Sequence, residues 1–211
     1  MIFRIHMFLE PQSAKYLIKI LISYQFGVMA PDPVKFGEFY RWGLKDPMSS
    51  ETFHFIMNAL EQNRPITDFL DSDYTFLNSD LARHYQIKGV KGIHFRKVKL
   101  AKNSVRGGLL GHAGIQSLSS NGVETSPIIR GIWVLENILG MPPPPPPPDV
   151  EALDADTRGA TTLKERLEKH RKVEACADCH SKIDPYGFAL ENFNPIGTYR
   201  THYAKKMRWD K

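Results

Sequence analysis

A run of seven consecutive prolines, from position 142 to 148, most strongly constrains how this chain of 211 residues can fold. Proline fixes φ and has no backbone N–H, so the run fits neither a helix interior nor a central strand. We expect an extended left-handed spacer of roughly 22 Å, at about 3.1 Å per residue. A ligand for proline-binding modules is the functional alternative. The run divides the chain into a longer and a shorter part.

The longer part has the patterns of a small helical domain. Ser49 or Ser50 can cap a helix whose apolar residues recur at i, i+3, i+4 and i+7, and a second helix is expected after Asn78. The apolar stripe of the first helix is Phe53, Ile56, Met57 and Leu60. Alternating apolar residues between 90 and 100, Ile93, Phe95 and Val98, predict a short strand. The sequence thus predicts a mainly α fold with a short β element.

The helix before the spacer has the clearest boundaries. Ser126 is a cap candidate, Pro127 suits the first helical position, and Gly140 suits the position just past the end. Apolar residues occupy most of its circumference, which predicts a buried helix. Arg130 and Glu136 are the exceptions and are expected at its rim.

The shorter part contains both cysteines of the chain, in the pentapeptide Cys176-Ala177-Asp178-Cys179-His180. A capping box at 162–165 predicts a helix, with Leu163, Leu167 and His170 on one face, that leads to Cys176. Beyond His180, Asp184-Pro185 and Gly187 predict a turn.

The CxxCH spacing is the attachment sequence for c-type haem. On a helical turn, positions i, i+3 and i+4 share one face, so two sulfurs can reach a porphyrin edge while the imidazole turns toward its iron. We expect Cys176 and Cys179 to form thioethers with haem c and His180 to be the proximal iron ligand.

The sequence offers several candidates for the rest of such a pocket. Candidate sixth ligands of the iron are His112, His170, His202, Met141 and Met207, and an open or water-bound position is the alternative. The expected pocket wall is Asp184, Pro185, Tyr186, Phe188, Leu190 and Phe193, because an apolar surround raises the reduction potential and excludes water. Ordinary core packing explains Phe188 and Phe193 equally well.

Two other kinds of site compete with haem. Cys176, Cys179, His180 and one further histidine could form a four-coordinate zinc site, although no second ligand pair at finger-like spacing is present. The C-x-x-C pair could also be a redox dithiol, which would favour a strand-to-helix setting.

Composition limits the partners. The formal net charge is +5 and the pI is about 9.1, which permits docking to an acidic partner. Basic residues alternate with glutamates, as in Lys164-Glu165-Arg166, so a nucleic-acid-binding function is not expected. The sequence has no stretch of 18 or more apolar residues, so no transmembrane helix is predicted. The segment from Tyr16 to Ala30 is interpreted as an amphipathic helix, with a poor signal peptide as the alternative.

Four long stretches resemble planctomycete-type cytochrome c-like proteins, which are large envelope proteins with several domains of unknown function. They are 66–85, 106–115, 121–147 and 161–200, ending in ACADCHSKIDPYGFALENFNPIGTYR. The resemblance, from about Val34 to Tyr203, implies a haem-c-bearing C-terminal region in a periplasmic or envelope protein. The first thirty-odd residues do not resemble the family, and a further small domain usually follows this region, so the chain is expected to be a fragment whose export signal is doubtful.

These observations predict two helical units joined by the polyproline spacer. The predicted divisions are an atypical segment 1–33, a helical domain 34–141, the spacer 142–149, a cytochrome c-like region 150–203 and a tail 204–211. The predicted function is single-electron transfer within a larger oxidoreductase assembly, with a redox protein or the missing domains as partners. A non-catalytic envelope module with an empty or zinc-bound site is the alternative.

Overall fold

The computed structural model describes residues 30–144 and 174–202, and their fold is mainly α, as predicted. Two 3-10 turns lie at Ile66–Phe69 and Leu109–Gly111. The α-helices in these ranges are α1 (Gly37–Arg41), α2 (Lys45–Glu61), α3 (Ser79–His84), α4 (Ala113–Leu118), α5 (Pro127–Asn137) and α6 (Glu174–Phe188).

The β element is a two-stranded antiparallel sheet. Strand β1 (Tyr74–Leu77) pairs with β2 (Arg96–Lys99), and Tyr74 lies opposite Lys99. The predicted strand therefore exists, but its partner β1 was not predicted. Two of the three residues on which the prediction rested, Ile93 and Phe95, precede the strand, and Ile93 is 74% exposed.

The chain divides into two compact units. The first comprises Met1–Thr125 with Asn192–Lys211, and the second comprises Ser126–Glu191. This division differs from the predicted boundaries at 141 and 150, since α5 packs with α6 in the second unit. The predicted capping box at 162–165, the Tyr16–Ala30 segment and positions 145–149 of the spacer lie outside the described residues.

The core of the first unit joins its helices to the C-terminal segment. Asn78 caps α3, because its side-chain oxygen accepts a hydrogen bond from Leu81 N at 3.0 Å. This confirms the predicted helix start. The core residues are Phe39, Leu44, Met48, Leu77, Leu81, Ala82, Tyr85, Ala113 and Ile196.

Helix α2 begins earlier than predicted and buries a different stripe. It starts at Lys45, and of the predicted stripe only Met57 is buried. The residues that are buried instead include Glu51 and Thr52, which are polar. A hydrophobic pattern cannot identify such positions, because their burial depends on hydrogen-bond partners from distant segments.

The second unit is built on close contact between α5 and α6. Ser126 caps α5 as predicted, accepting from Ile129 N at 3.4 Å, and Gly140 has a φ of 63° just beyond the end. A Cβ on Gly131 would overlap the Ile183 carbonyl, and one on Gly187 would overlap the Pro127 carbonyl. The two glycines therefore allow the backbones to touch.

Two predictions about this unit are wrong. Arg130 was expected at the rim of α5, yet its side chain is fully buried. Its Nη1 donates to Leu190 O at 2.6 Å and lies 3.2 Å from Glu191 Oε1, so the charge is paired. The turn expected at Asp184-Pro185 is also absent, because α6 continues through Pro185 to Phe188. Packing on α5 at Ile183 and Gly187 outweighs the hydrogen bond that proline removes.

Candidate functional site

The CxxCH residues lie at the beginning of α6, which places positions 176, 179 and 180 at i, i+3 and i+4 of one helix. The side chain of Cys176 lies outside the described part of the structure. Cys179 is a free, half-buried thiol, and the His180 side chain is buried, with 7% of its surface exposed. Helical spacing, which haem attachment needs, is therefore present.

His180 is held by a carboxylate one helical turn further along. Its Nδ1 lies 2.9 Å from Asp184 Oδ1, and Asp184 is 4% exposed. When Nδ1–H of a neutral histidine donates a hydrogen bond to a carboxylate, Nε2 is unprotonated and its lone pair is available to a metal. This carboxylate–histidine pairing is typical of metal-ligating histidines, in which it orients the ring and raises its basicity.

A cavity of about 380 Å³ lies beside His180. Its lining residues recur along one side of α6 at helical spacing. They are Ala177, His180, Ser181, Asp184, Pro185 and Phe188. Phe188 is 40% exposed, which leaves an apolar ring at the solvent edge of this cavity.

The two described members of the donor set, the Cys179 thiol and the His180 imidazole, are compatible with haem c. Thiol and imidazole are the groups that covalent haem attachment and iron ligation require, and they have the correct spacing on a regular helix. The buried Asp184 supplies a hydrogen-bond partner for Nδ1, which is the support that a proximal histidine uses. The cavity beside the imidazole provides space on the side of α6 that carries it.

The expected wall residues separate into two groups. Asp184, Pro185 and Phe188 line the cavity, whereas Tyr186, Leu190 and Phe193 are not among its lining residues. Tyr186 is 41% exposed and Leu190 is buried. Phe193 belongs to the first unit, where its ring packs edge-on against Tyr199. Core packing is therefore the role of Phe193 that the structure describes.

The candidate sixth ligands have different environments. His112 is a core residue of the first unit, with Nδ1 3.1 Å from Thr52 Oγ1 and its ring against Phe55. Met141 is 65% exposed, and His202 is exposed with Nδ1 2.9 Å from Thr201 Oγ1. His170 and Met207 lie outside the described residues. The choice among these ligands stays a prediction.

Neither a ready metal cluster nor a membrane span is found within 30–144 and 174–202. Among the side chains that the structure describes, which do not include that of Cys176, no three of His, Cys, Asp or Glu are grouped as metal ligands. No helix there has the length and apolar character needed to cross a membrane. The zinc and dithiol alternatives both depend on Cys176, so they stay open.

Comparisons with known families match two parts of the chain. Residues 106–203 match the family model described as a protein of unknown function (DUF1588), and residues 10–87 match a second such model (DUF1592). Both are C-terminal domains typical of planctomycete cytochrome c-like proteins. The DUF1588 match includes the CxxCH positions, but its description names no cofactor.

The DUF1592 match also corrects the sequence interpretation, because it begins at residue 10 rather than near Val34. Most of the segment 1–33, which was expected to be atypical, therefore resembles the family. No curated protein and no solved structure matches the chain.

Proposed function

We propose that this chain is a c-type haem-binding module that transfers single electrons within a larger oxidoreductase assembly of the cell envelope. The observation that carries the proposal is the buried His180–Asp184 pair on the helix that begins with the CxxCH sequence. Helical CxxCH spacing favours haem attachment, and the carboxylate partner is typical of a histidine that ligates a metal. Similarity to domains of cytochrome c-like proteins supports the same class.

In this proposal each side chain has a defined task. Cys176 and Cys179 hold haem c covalently, and His180 Nε2 binds its iron. Asp184 accepts a hydrogen bond from Nδ1–H of His180 and so keeps the imidazole in one orientation and tautomer. Phe188 and Pro185 shield one side of the cavity from water. When bound, the haem supplies an iron that alternates between ferric and ferrous states.

Location and partner follow from the same chemistry. Covalent haem attachment normally takes place outside the cytoplasm, so we propose that the full-length protein acts in the periplasm or cell envelope. The positive net charge of +5 favours a redox partner with an acidic docking face. Other domains of the full-length protein are the second candidate source of electrons.

The test is expression of the full chain in the periplasm together with a haem-attachment system. The expected product is red, and its mass after denaturation includes one haem. A Cys176→Ser, Cys179→Ser double variant is the matched control, because it retains His180 and removes both thioether positions. This control should lose the covalent mass. An unmodified mass with bound zinc would support the alternative, a non-catalytic envelope module with a structural metal.

A further inference from the structure

The first unit contains a cavity of about 240 Å³, and the charged residue in its lining is the basic Arg106. No acidic side chain is among its lining residues, and the others are neutral polar or apolar. The lining consists of His84, Tyr85, Gln86, Val105, Arg106, Thr198 and Tyr199. This cavity is separate in sequence from the CxxCH helix, and the proposed electron transfer makes no use of it.

Arg106 lines this cavity, and a ring contact and two hydrogen bonds hold its guanidinium in place. Only 9% of the residue is exposed, and the guanidinium carbon lies 3.5 Å from the centroid of the Tyr85 ring. Its Nη1 donates to Gly111 O at 2.7 Å, and its Nη2 donates to Gly197 O at 2.6 Å. A guanidinium has five N–H donors, so these two hydrogen bonds leave three others.

The positive charge of Arg106 lacks a direct counterion in the described part of the chain. No ion pair joins it to a carboxylate there, and both of its hydrogen-bond acceptors are neutral carbonyl oxygens. The carboxylate that influences it electrostatically is Glu51, whose pKa burial raises to about 7. Glu51 accepts a hydrogen bond from the hydroxyl of Tyr85, so the ring beneath the guanidinium connects the two groups.

Two buried histidines, His84 and His112, lie close enough to Arg106 to be influenced by its charge. Burial, with a smaller contribution from the charge of Arg106, lowers the pKa of His84 to about 4 and that of His112 to about 3. Both rings are therefore neutral near pH 7 and add no repulsive charge. His84 also lines the cavity, with Nε2 2.7 Å from Ile196 O.

We propose that this cavity binds a small oxyanion, a carboxylate or phosphate group, through Arg106. A buried charge is costly unless it is paired, and arginine pairs with planar carboxylates and with phosphates through two parallel N–H bonds. Thr198 and Tyr199 add hydroxyl groups to the lining, and these can donate to further oxygens of the anion. The volume limits the occupant to a small metabolite-sized anion.

The test is isothermal titration of the full chain with acetate, succinate and phosphate, each against chloride at constant ionic strength. Saturable one-to-one binding of at least one oxyanion is expected. Val105→Trp should weaken it at least tenfold, because the indole enters the cavity while Arg106 remains. Val123→Trp is the matched control, because Val123 does not line the cavity and its exposed fraction, 42%, is close to the 49% of Val105. This control should bind as the unmodified chain does.

A second variant addresses the charge itself. Arg106→Gln should abolish binding. If that variant does not fold, Thr198→Val takes its place, and the loss of one hydroxyl group should weaken binding. Absence of saturable binding to all three anions would overturn the proposal. Equal affinity of the Val105→Trp and Val123→Trp variants would overturn it as well. Neither result depends on haem attachment, so the proposed electron-transfer function is tested separately.

Discussion

Buried ionisable side chains make the stability of the first unit depend on pH in two opposite directions. The pKa values of His84 and His112 are lowered from 6.5 to about 4 and about 3, mainly by burial. The unfolded chain therefore binds protons below pH 6.5 that the folded chain excludes, and stability falls as the pH drops. The pKa of Glu51 is raised from 4.5 to about 7, so its contribution to stability falls as the pH rises between these values.

Glu51→Gln tests the second effect. The rise in pKa from 4.5 to about 7 corresponds to about 3 kcal/mol, because one pKa unit is about 1.4 kcal/mol. Relative to the unmodified chain, the variant should gain about that free energy of unfolding between pH 4.5 and pH 7.5, as measured by urea denaturation. Glu38→Gln, at a half-buried position on α1, is the control and should show no comparable gain. A stability difference that stays constant across this range would contradict the account of Glu51.

Asp184→Asn tests the support of His180 in the haem-loaded chain. The asparagine retains the size and an acceptor oxygen but removes the negative charge, so the imidazole becomes a weaker electron donor. We expect a more positive reduction potential in a spectroelectrochemical titration, with covalent haem retained. Tyr186→Phe, at an exposed position on the same helix that does not line the cavity, is the control and should leave the potential close to that of the unmodified chain. If the reduction potential of the Asp184→Asn variant is unchanged, Asp184 does not influence the iron through His180.

At the scale of elements, the contact between α5 and α6 positions the candidate site. Gly131 and Gly187 bring the two backbones together, and Arg130 closes the same unit through Leu190 O and Glu191. Helix α6 continues through Pro185, which keeps His180 and Asp184 one turn apart on a regular helix. The geometry of the site thus depends on packing between the two helices.

Gly187→Ala should disrupt that contact. The added Cβ would overlap the Pro127 carbonyl, and overpacking of this kind costs about 1–3 kcal/mol or more. Hydrogen exchange should show weaker protection of α5 and α6 in the variant. Gly37→Ala is the control, because its Cβ would meet only Arg41 Nη2 at 4.0 Å, and it should change stability by less than about 0.5 kcal/mol. Equal protection in both variants would show that the close contact is unimportant.

Local signals predicted part of these elements. Ser126, Pro127 and Gly140 mark the boundaries of α5, and Asn78 marks the start of α3, because caps act within one helical turn. The turn predicted at Pro185 was wrong, because a proline inside α6 is tolerated only through tertiary packing, which the sequence does not show. Strand β1 was missed because its residues are buried, buried, half-buried and buried in turn, so they lack the alternation that identifies a strand.

Buried polar residues mark the limit of such predictions. Glu51, Arg106 and Arg130 are buried because distant segments supply carbonyl, hydroxyl or carboxylate partners. Those partners are separated by 24, 91 and 61 positions, respectively, so no local pattern could identify them. The CxxCH sequence was identifiable at once, whereas the Asp184 partner required the structure.

At the scale of the whole molecule, the two units carry different chemistry. The first contains the cavity that Arg106 lines and a set of buried titratable groups. The second contains the CxxCH helix with its histidine–carboxylate pair. The family models that match the chain cover residues from both units. We therefore expect oxyanion binding and haem binding to be separable by mutation.

Covalent haem attachment is the basis of the proposed function, and the decisive measurement is the mass of the denatured full chain after periplasmic expression with a haem-attachment system. We expect a mass increased by one haem, which is lost when Cys176 and Cys179 are both replaced by serine, and a spectrum typical of two thioether bonds. An unmodified mass from a folded, exported chain would contradict it.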